Sequence, residues 1–68
     1  MNGHQKQKEQ SGRMIEGALL ELMEEKSYAQ ITVSEIVKRA DVSRRTFYRL
    51  YGEKDEVLRC YFNKLPHP

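Results

Sequence analysis

The sequence predicts an all-α domain, and three observations lead there. Apolar residues recur at steps of three and four through most of the chain after Gly12, the pattern of amphipathic helices. No stretch alternates apolar and polar residues as a half-buried strand would. Thr32 and Ser43 each stand just ahead of a periodic stretch, where residues of this type start helices. With 68 residues there is room for one small domain and no second. A domain of that size hides only about 60% of the surface its unfolded chain exposes, so its core must be local and compact.

Residues 1–9 are polar and without period, and read as a flexible N-terminal arm. The first helix is expected from about residue 10 to 26. Met14, Ile15, Ala18, Leu19, Leu22 and Met23 form its apolar stripe, with Glu16, Glu21, Glu24 and Glu25 on the opposite, solvated face. Gly17 is a tolerated weak point, and Lys26 suits the negative end of the helix dipole.

After the short connection Ser27–Gln30, Thr32 and Glu35 have the spacing of a capping box. Val33, Ile36, Val37 and Ala40 give a second helix its buried stripe, ending near Ala40. Asp41 falls at the stop, where a left-handed residue is usual and Asp is among the few non-glycines tolerated. Ser43 caps a third helix, Arg44–Tyr51, which buries Phe47 and Leu50, with Tyr51 a further candidate, and is ended by Gly52. A fourth helix starts near Lys54, carries Val57, Leu58, Tyr61, Phe62 and Leu65, and stops at Pro66. Tyr28 is expected to pack between helices one and two.

Composition removes several classes of function. No apolar run approaches the ~18 residues that span a bilayer, and the polar N-terminus has no secretory signal core. Cys60 is the single cysteine, so neither an internal disulfide nor a multi-cysteine zinc site is available, and it reads as an inert helix residue. His4 and His67 are far apart in the two tails, without ligand partners at metal spacing. Phosphate-cradling glycine loops and H-E-x-x-H are absent. No enzyme chemistry, cofactor or metal is expected.

The net charge of +2 is unevenly spread. Residues 31–52 carry Lys38, Arg39, Arg44, Arg45 and Arg49 against only Glu35 and Asp41, whereas residues 13–30 are acidic on balance. Two short helices joined by a tight turn make a helix-turn-helix over about residues 33–51. In that motif the second helix enters the major groove of DNA and the first crosses the backbone. Here the second helix has a basic outer face, with no acid between Val42 and Gly52. Three arginines within six positions suit phosphates and guanine edges.

The run Thr32-Val33-Ser34-Glu35-Ile36-Val37-Lys38-Arg39-Ala40-Asp41-Val42-Ser43-Arg44-Arg45-Thr46-Phe47-Tyr48-Arg49-Leu50-Tyr51, followed by Gly52-Glu53-Lys54-Asp55-Glu56-Val57-Leu58, resembles the N-terminal domain of the TetR family of bacterial transcriptional regulators. With Ile15, Ala18, Leu19, Leu22 and Tyr28, the resemblance covers about residues 10–62, and the domain is placed at 10–65. It implies a three-helix, homeodomain-like helix-turn-helix bundle plus the start of a fourth helix, and sequence-specific binding of duplex DNA, whether to repress or to activate. Thr32 would put its hydroxyl or backbone amide on a phosphate. Ser43 would cap the recognition helix and touch the DNA backbone, and Arg44, Arg45 and Thr46 would read bases. Tyr48 would contact a phosphate, Arg49 follows it on the outer face, and Lys54 would grip a phosphate.

Family members normally dimerise through a ligand-binding domain after helix four. The resemblance therefore implies a palindromic operator, a homodimer for a longer parent chain, and a bacterial cytoplasmic location on the nucleoid. This chain stops at Leu65-Pro66-His67-Pro68, where that domain would begin. A truncated domain or fragment, monomeric and weakly bound to one half-site, is the expectation. The family often has glycine at positions 27 and 41, so Ser27 and Asp41 are both expected to carry left-handed strain. Arg45 replaces a frequent small residue and should shift base preference, while Leu50 cannot make the backbone contact of a frequent histidine.

Phe47, Tyr51, Tyr61 and Phe62 read as core rather than a stacking platform for bases. The competing function is a helical protein-interaction module without DNA binding. It would need an exposed apolar patch, for which Leu20, Tyr61 and Leu65 are the surplus residues.

Overall fold

A computed structural model describes the backbone of residues 3–64 and the side chains of residues 10–63. Four α-helices run in order: α1 Gly3–Glu25, α2 Val33–Ala40, α3 Arg44–Leu50 and α4 Lys54–Lys64, with one 3-10 turn, Tyr28–Gln30, between α1 and α2. The described backbone contains no strand. Leu65 and Pro66, expected to finish the fourth helix, lie outside the described residues, as does His67.

The helix α1 begins well before residue 10, and Gly3–Glu9, expected as an arm, continue it. Gln, Lys and Glu are good helix formers, and a helix anchored by a packed stripe extends one residue at a time at little cost. Periodicity could not show this extension because no apolar residue marks it.

The core is built from Ile15, Ala18, Leu19 and Leu22 of α1, Ile36, Val37 and Ala40 of α2, Phe47 of α3, Val57 of α4, and Ile31 and Tyr51 from the connections. Phe47 is fully buried at the centre, and truncating such a side chain to alanine costs about 3–5 kcal/mol. Val33, Val42, Leu50, Leu58, Tyr28 and Cys60 close the edges.

Three expected core residues are exposed: Met14, Met23 and Phe62. At about 100° per residue, Met14 and Met23 lie roughly 90° to either side of the line through Ile15 and Leu22 that meets the core. Phe62 lies about 140° around α4 from the buried Val57, too far to reach inward. Tyr61 is half-buried, and Cys60 takes a place at the core edge instead.

The ends of α2 and α3 follow local chemistry. Thr32 accepts from the Glu35 amide at 3.2 Å while its own amide donates to Glu35 Oε1 at 3.0 Å, the reciprocal box the spacing predicts. At the other end Asp41 is left-handed, with φ 59° and ψ 44°. The Val42 amide donates to the Val37 carbonyl and the Asp41 amide to that of Lys38, a Schellman closure. Ser27 carries no such strain, since its backbone is extended at φ −69°. Gly52 does not end α3 by turning left-handed either. Tyr51 leaves the helix in an extended conformation, and no glycine has a positive φ.

Candidate nucleic-acid interface

The candidate interface is built on the two caps at the starts of α2 and α3. Ser43 Oγ accepts from the Thr46 amide at 3.0 Å and donates to Thr46 Oγ1 at 3.0 Å. This spends the serine proton inside the cap and leaves Thr46 half-buried. On α3, Phe47 points into the core, Tyr51 follows on the same side, and their rings stand 5.7 Å apart. Arg44, Arg45, Tyr48 and Arg49 are exposed, as the sequence predicts.

The exposed residues are not equivalent. The Arg44 guanidinium donates to Ser34 Oγ on α2, tying the two helices together at their outer edge. Arg45 and Arg49 form no hydrogen bond or ion pair with any described residue. Their positions on α3 lie about 160° around the axis from Phe47, pointing straight away from the core. Tyr48 is 52% exposed and packs edge-on against Phe47 at 5.2 Å. Lys38 is also exposed and without a partner among the described residues. It lies one turn beyond Ser34 on the same face of α2, and the sequence reading gave it no role.

Three other cations are committed elsewhere. Arg39 makes a two-pronged contact with Glu25 of α1 at 2.5 and 3.0 Å, with Glu21 3.6 Å away. That hydrogen bond holds the Glu25 carboxyl below the ordinary carboxylate value and raises the Arg39 guanidinium. Lys26 pairs with Glu35, whose carboxyl is lowered by the lysine and then by the Thr32 amide. The acidic face of α1 is thus a seam with α2 as well as a solvated surface, and Arg39 does not add to the outward positive charge.

Lys54 is the third. Its ammonium donates to the carbonyls of Tyr28 and Ile31, both at 2.9 Å, and lies 4.2 Å from the Tyr28 ring centroid. The Tyr28 hydroxyl donates to Asp55 Oδ1. Burial first, then that carboxylate, push the Tyr28 phenol up to about 12. The start of α4 is thereby clamped onto the 3-10 turn.

Beneath the interface, the Tyr51 hydroxyl donates to the buried Glu16 carboxylate at 3.2 Å. Burial, followed by the charge of Glu16, raises the Tyr51 phenol. The sequence reading put Glu16 on the solvated face. The missed signal is Gly12, one turn earlier, whose absent side chain opens a notch: a Cβ there would stand 3.1 Å from the Tyr51 oxygen.

Among the described residues, no group of three or more His, Cys, Asp or Glu side chains could hold a metal ion, and no helix is long and apolar enough to cross a membrane.

Comparison with known proteins fits this geometry. The family model described as bacterial regulatory proteins, tetR family, matches residues 15–60, which span all of α2 and α3. The HTH-type dhaKLM operon transcriptional activator DhaS of Lactococcus lactis subsp. lactis (strain IL1403) is 36% identical over 50 residues, covering 74% of this chain and 27% of that protein. The uncharacterized HTH-type transcriptional regulator YxbF of Bacillus subtilis (strain 168) is 35% identical over 51 residues, covering 74% of this chain and 13% of the relative. The chain therefore spans about a quarter or less of the length of these relatives. No solved structure gives a significant match. With its capped helix-turn-helix inside the matched span, the chain belongs to the tetR family of bacterial regulatory proteins.

Proposed function

We propose that this domain binds duplex DNA with sequence preference, α3 lying in the major groove and α2 crossing the backbone. Family membership gives the chain a DNA-binding regulatory character, and the family is one of regulators rather than enzymes. The observation that carries the finer reading is the outer face of α3. It is free of acids, and its Arg45 and Arg49 have no partner among the described residues. A protein surface gains nothing internally from such an arrangement, whereas an acceptor-rich polyanion supplies the missing partners.

The other site residues divide by what their atoms still have to offer. The amide of Thr32 is occupied by Glu35, so its hydroxyl proton is what remains for a phosphate. Ser43 and Thr46 are joined to each other and act as the cap that aims α3. Arg44, braced by Ser34, and the exposed Lys38 and Tyr48 flank the face and suit phosphate oxygens. Lys54 has given two donors to backbone carbonyls and serves the interface by holding α4 in place. Two such domains paired in a longer chain would read a palindromic operator in the bacterial cytoplasm, with half-sites about one helical turn apart.

Fluorescence anisotropy with a selected operator half-site and a scrambled duplex, across a salt series, tests this. Affinity should fall with salt for both duplexes, with log K declining by about 0.9 per phosphate contact per decade of salt. The selected duplex should bind more tightly throughout; equal affinity at every salt concentration would refute sequence preference.

One observation favours a second, protein-binding surface. Phe62 is 53% exposed and meets Tyr61 edge-on at 5.7 Å, on α4 and off the α3 face. Chemical-shift mapping with DNA separates the two readings: movement centred on residues 43–54 supports the groove reading, whereas no movement there on adding DNA would favour the alternative.

A further inference from the structure

We infer that Arg45 and Arg49 read two guanines of the half-site, with a single base pair between them. The inference rests on the proposal that α3 is the DNA-reading helix, and it adds which bases that helix selects. Arg45 and Arg49 are exposed and without partners among the described residues. Four residues apart, they lie about 40° apart around the helix and straddle the line opposite Phe47. Arg44 is drawn toward α2 by Ser34, and Thr46 is held in the cap. The outermost line of α3 therefore carries these two guanidinium groups alone.

Their chemistry fixes the kind of base. A guanidinium is an acceptor-seeking fork without acceptors of its own, and in the major groove guanine presents the matching pair, O6 and N7. Adenine offers a donor beside its acceptor and repels one prong. Like charges one turn apart on a helix repel slightly, and two guanine edges relieve that repulsion where an apolar or donor surface would not.

Spacing fixes the separation. Four residues of helix rise about 6 Å, whereas one base-pair step is about 3.4 Å and two are about 6.8 Å. A helix lying along the groove meets the second spacing with a mismatch of roughly 0.8 Å, within the reach of a long side chain, against about 2.6 Å for adjacent guanines.

The test is selection of duplexes from a randomised pool by the 68-residue chain, repeated with Arg45→Ala and Arg49→Ala, with circular dichroism confirming that each variant stays folded. The wild-type motif should contain two guanines separated by one position. Each variant should lose preference at one guanine and keep the other, with discrimination there falling roughly 5- to 150-fold. A motif lacking that pair would overturn the inference while leaving DNA reading intact. So would variants that keep the full motif and lose only affinity, with the salt slope reduced by about 0.9, because the arginines would then be phosphate contacts. Failure to enrich any sequence would refute the DNA-reading role itself, and the guanine assignment with it.

Discussion

Asp41 and Gly17 show how far single positions in this domain are from their stability optimum. Asp41 holds a left-handed conformation that only glycine adopts without cost, whereas Gly17 occupies a mid-helix position that asks for no glycine. A Cβ at Gly17 would meet nothing within 4 Å. Gly17→Ala should therefore raise stability by about 0.5–1 kcal/mol, seen as a higher urea midpoint with an unchanged slope. Gly12 is the opposite case, because the Tyr51 oxygen fills the space its side chain would need. Gly12→Ala should lower the midpoint in the same experiment. Asp41 was legible from its place between two stripes with a serine cap close behind. The contrast between the two glycines was not, since it depends on a tyrosine 39 positions further along.

Among the elements, α3 is too short to hold together alone, having seven residues where isolated helices need about 12–15. Its shape is supplied by the Ser43 cap, the burial of Phe47 and the neighbours it leans on. The clamp between Lys54 and the 3-10 turn fixes one of those neighbours, α4. Lys54→Met should remove two hydrogen bonds from a charged donor and destabilise the domain by about 1–3 kcal/mol, measured as a fall in Tm. DNA affinity should weaken only as far as folding does, and the salt slope should stay unchanged. A slope lower by about 0.9 would instead return Lys54 to the phosphate contacts. The lysine itself was visible in the sequence, but its acceptors are backbone carbonyls, which no side-chain pattern reveals. Both caps and the order of α2, turn and α3 were legible because each is written within four residues. The start of α1 was not, since a polar helical extension and a polar arm have the same composition.

For the molecule as a whole, paired charges across the α1–α2 seam link stability to acidity. Glu25 and Glu35 have their carboxyls lowered from the ordinary 4.5 by Arg39 and Lys26. Their contribution is complete above that ordinary value and is lost as pH falls through the lower folded one. Tm should therefore drop as pH falls below about 4.5, and Glu25→Gln should make the drop shallower. Added salt should flatten it too, because the pairs are open to solvent. The seam also explains why charge counting by segment overstated the outward positive charge: Arg39 lies in the basic third of the sequence, yet its field is spent on α1. Underneath, the hydrogen bond from Tyr51 to Glu16 bears on how α1 is aligned with its neighbours. The apolar stripe of α1 is nearly repetitive, and by itself would tolerate sliding one turn, about 5.4 Å, along its neighbours. A buried carboxylate tolerates no such freedom, because any other alignment would strip it of the tyrosine hydroxyl. The Gly12 notch admits that hydroxyl at a single height. This hook acts as a register key, leaving α1 one depth at which to seat against the exit of α3.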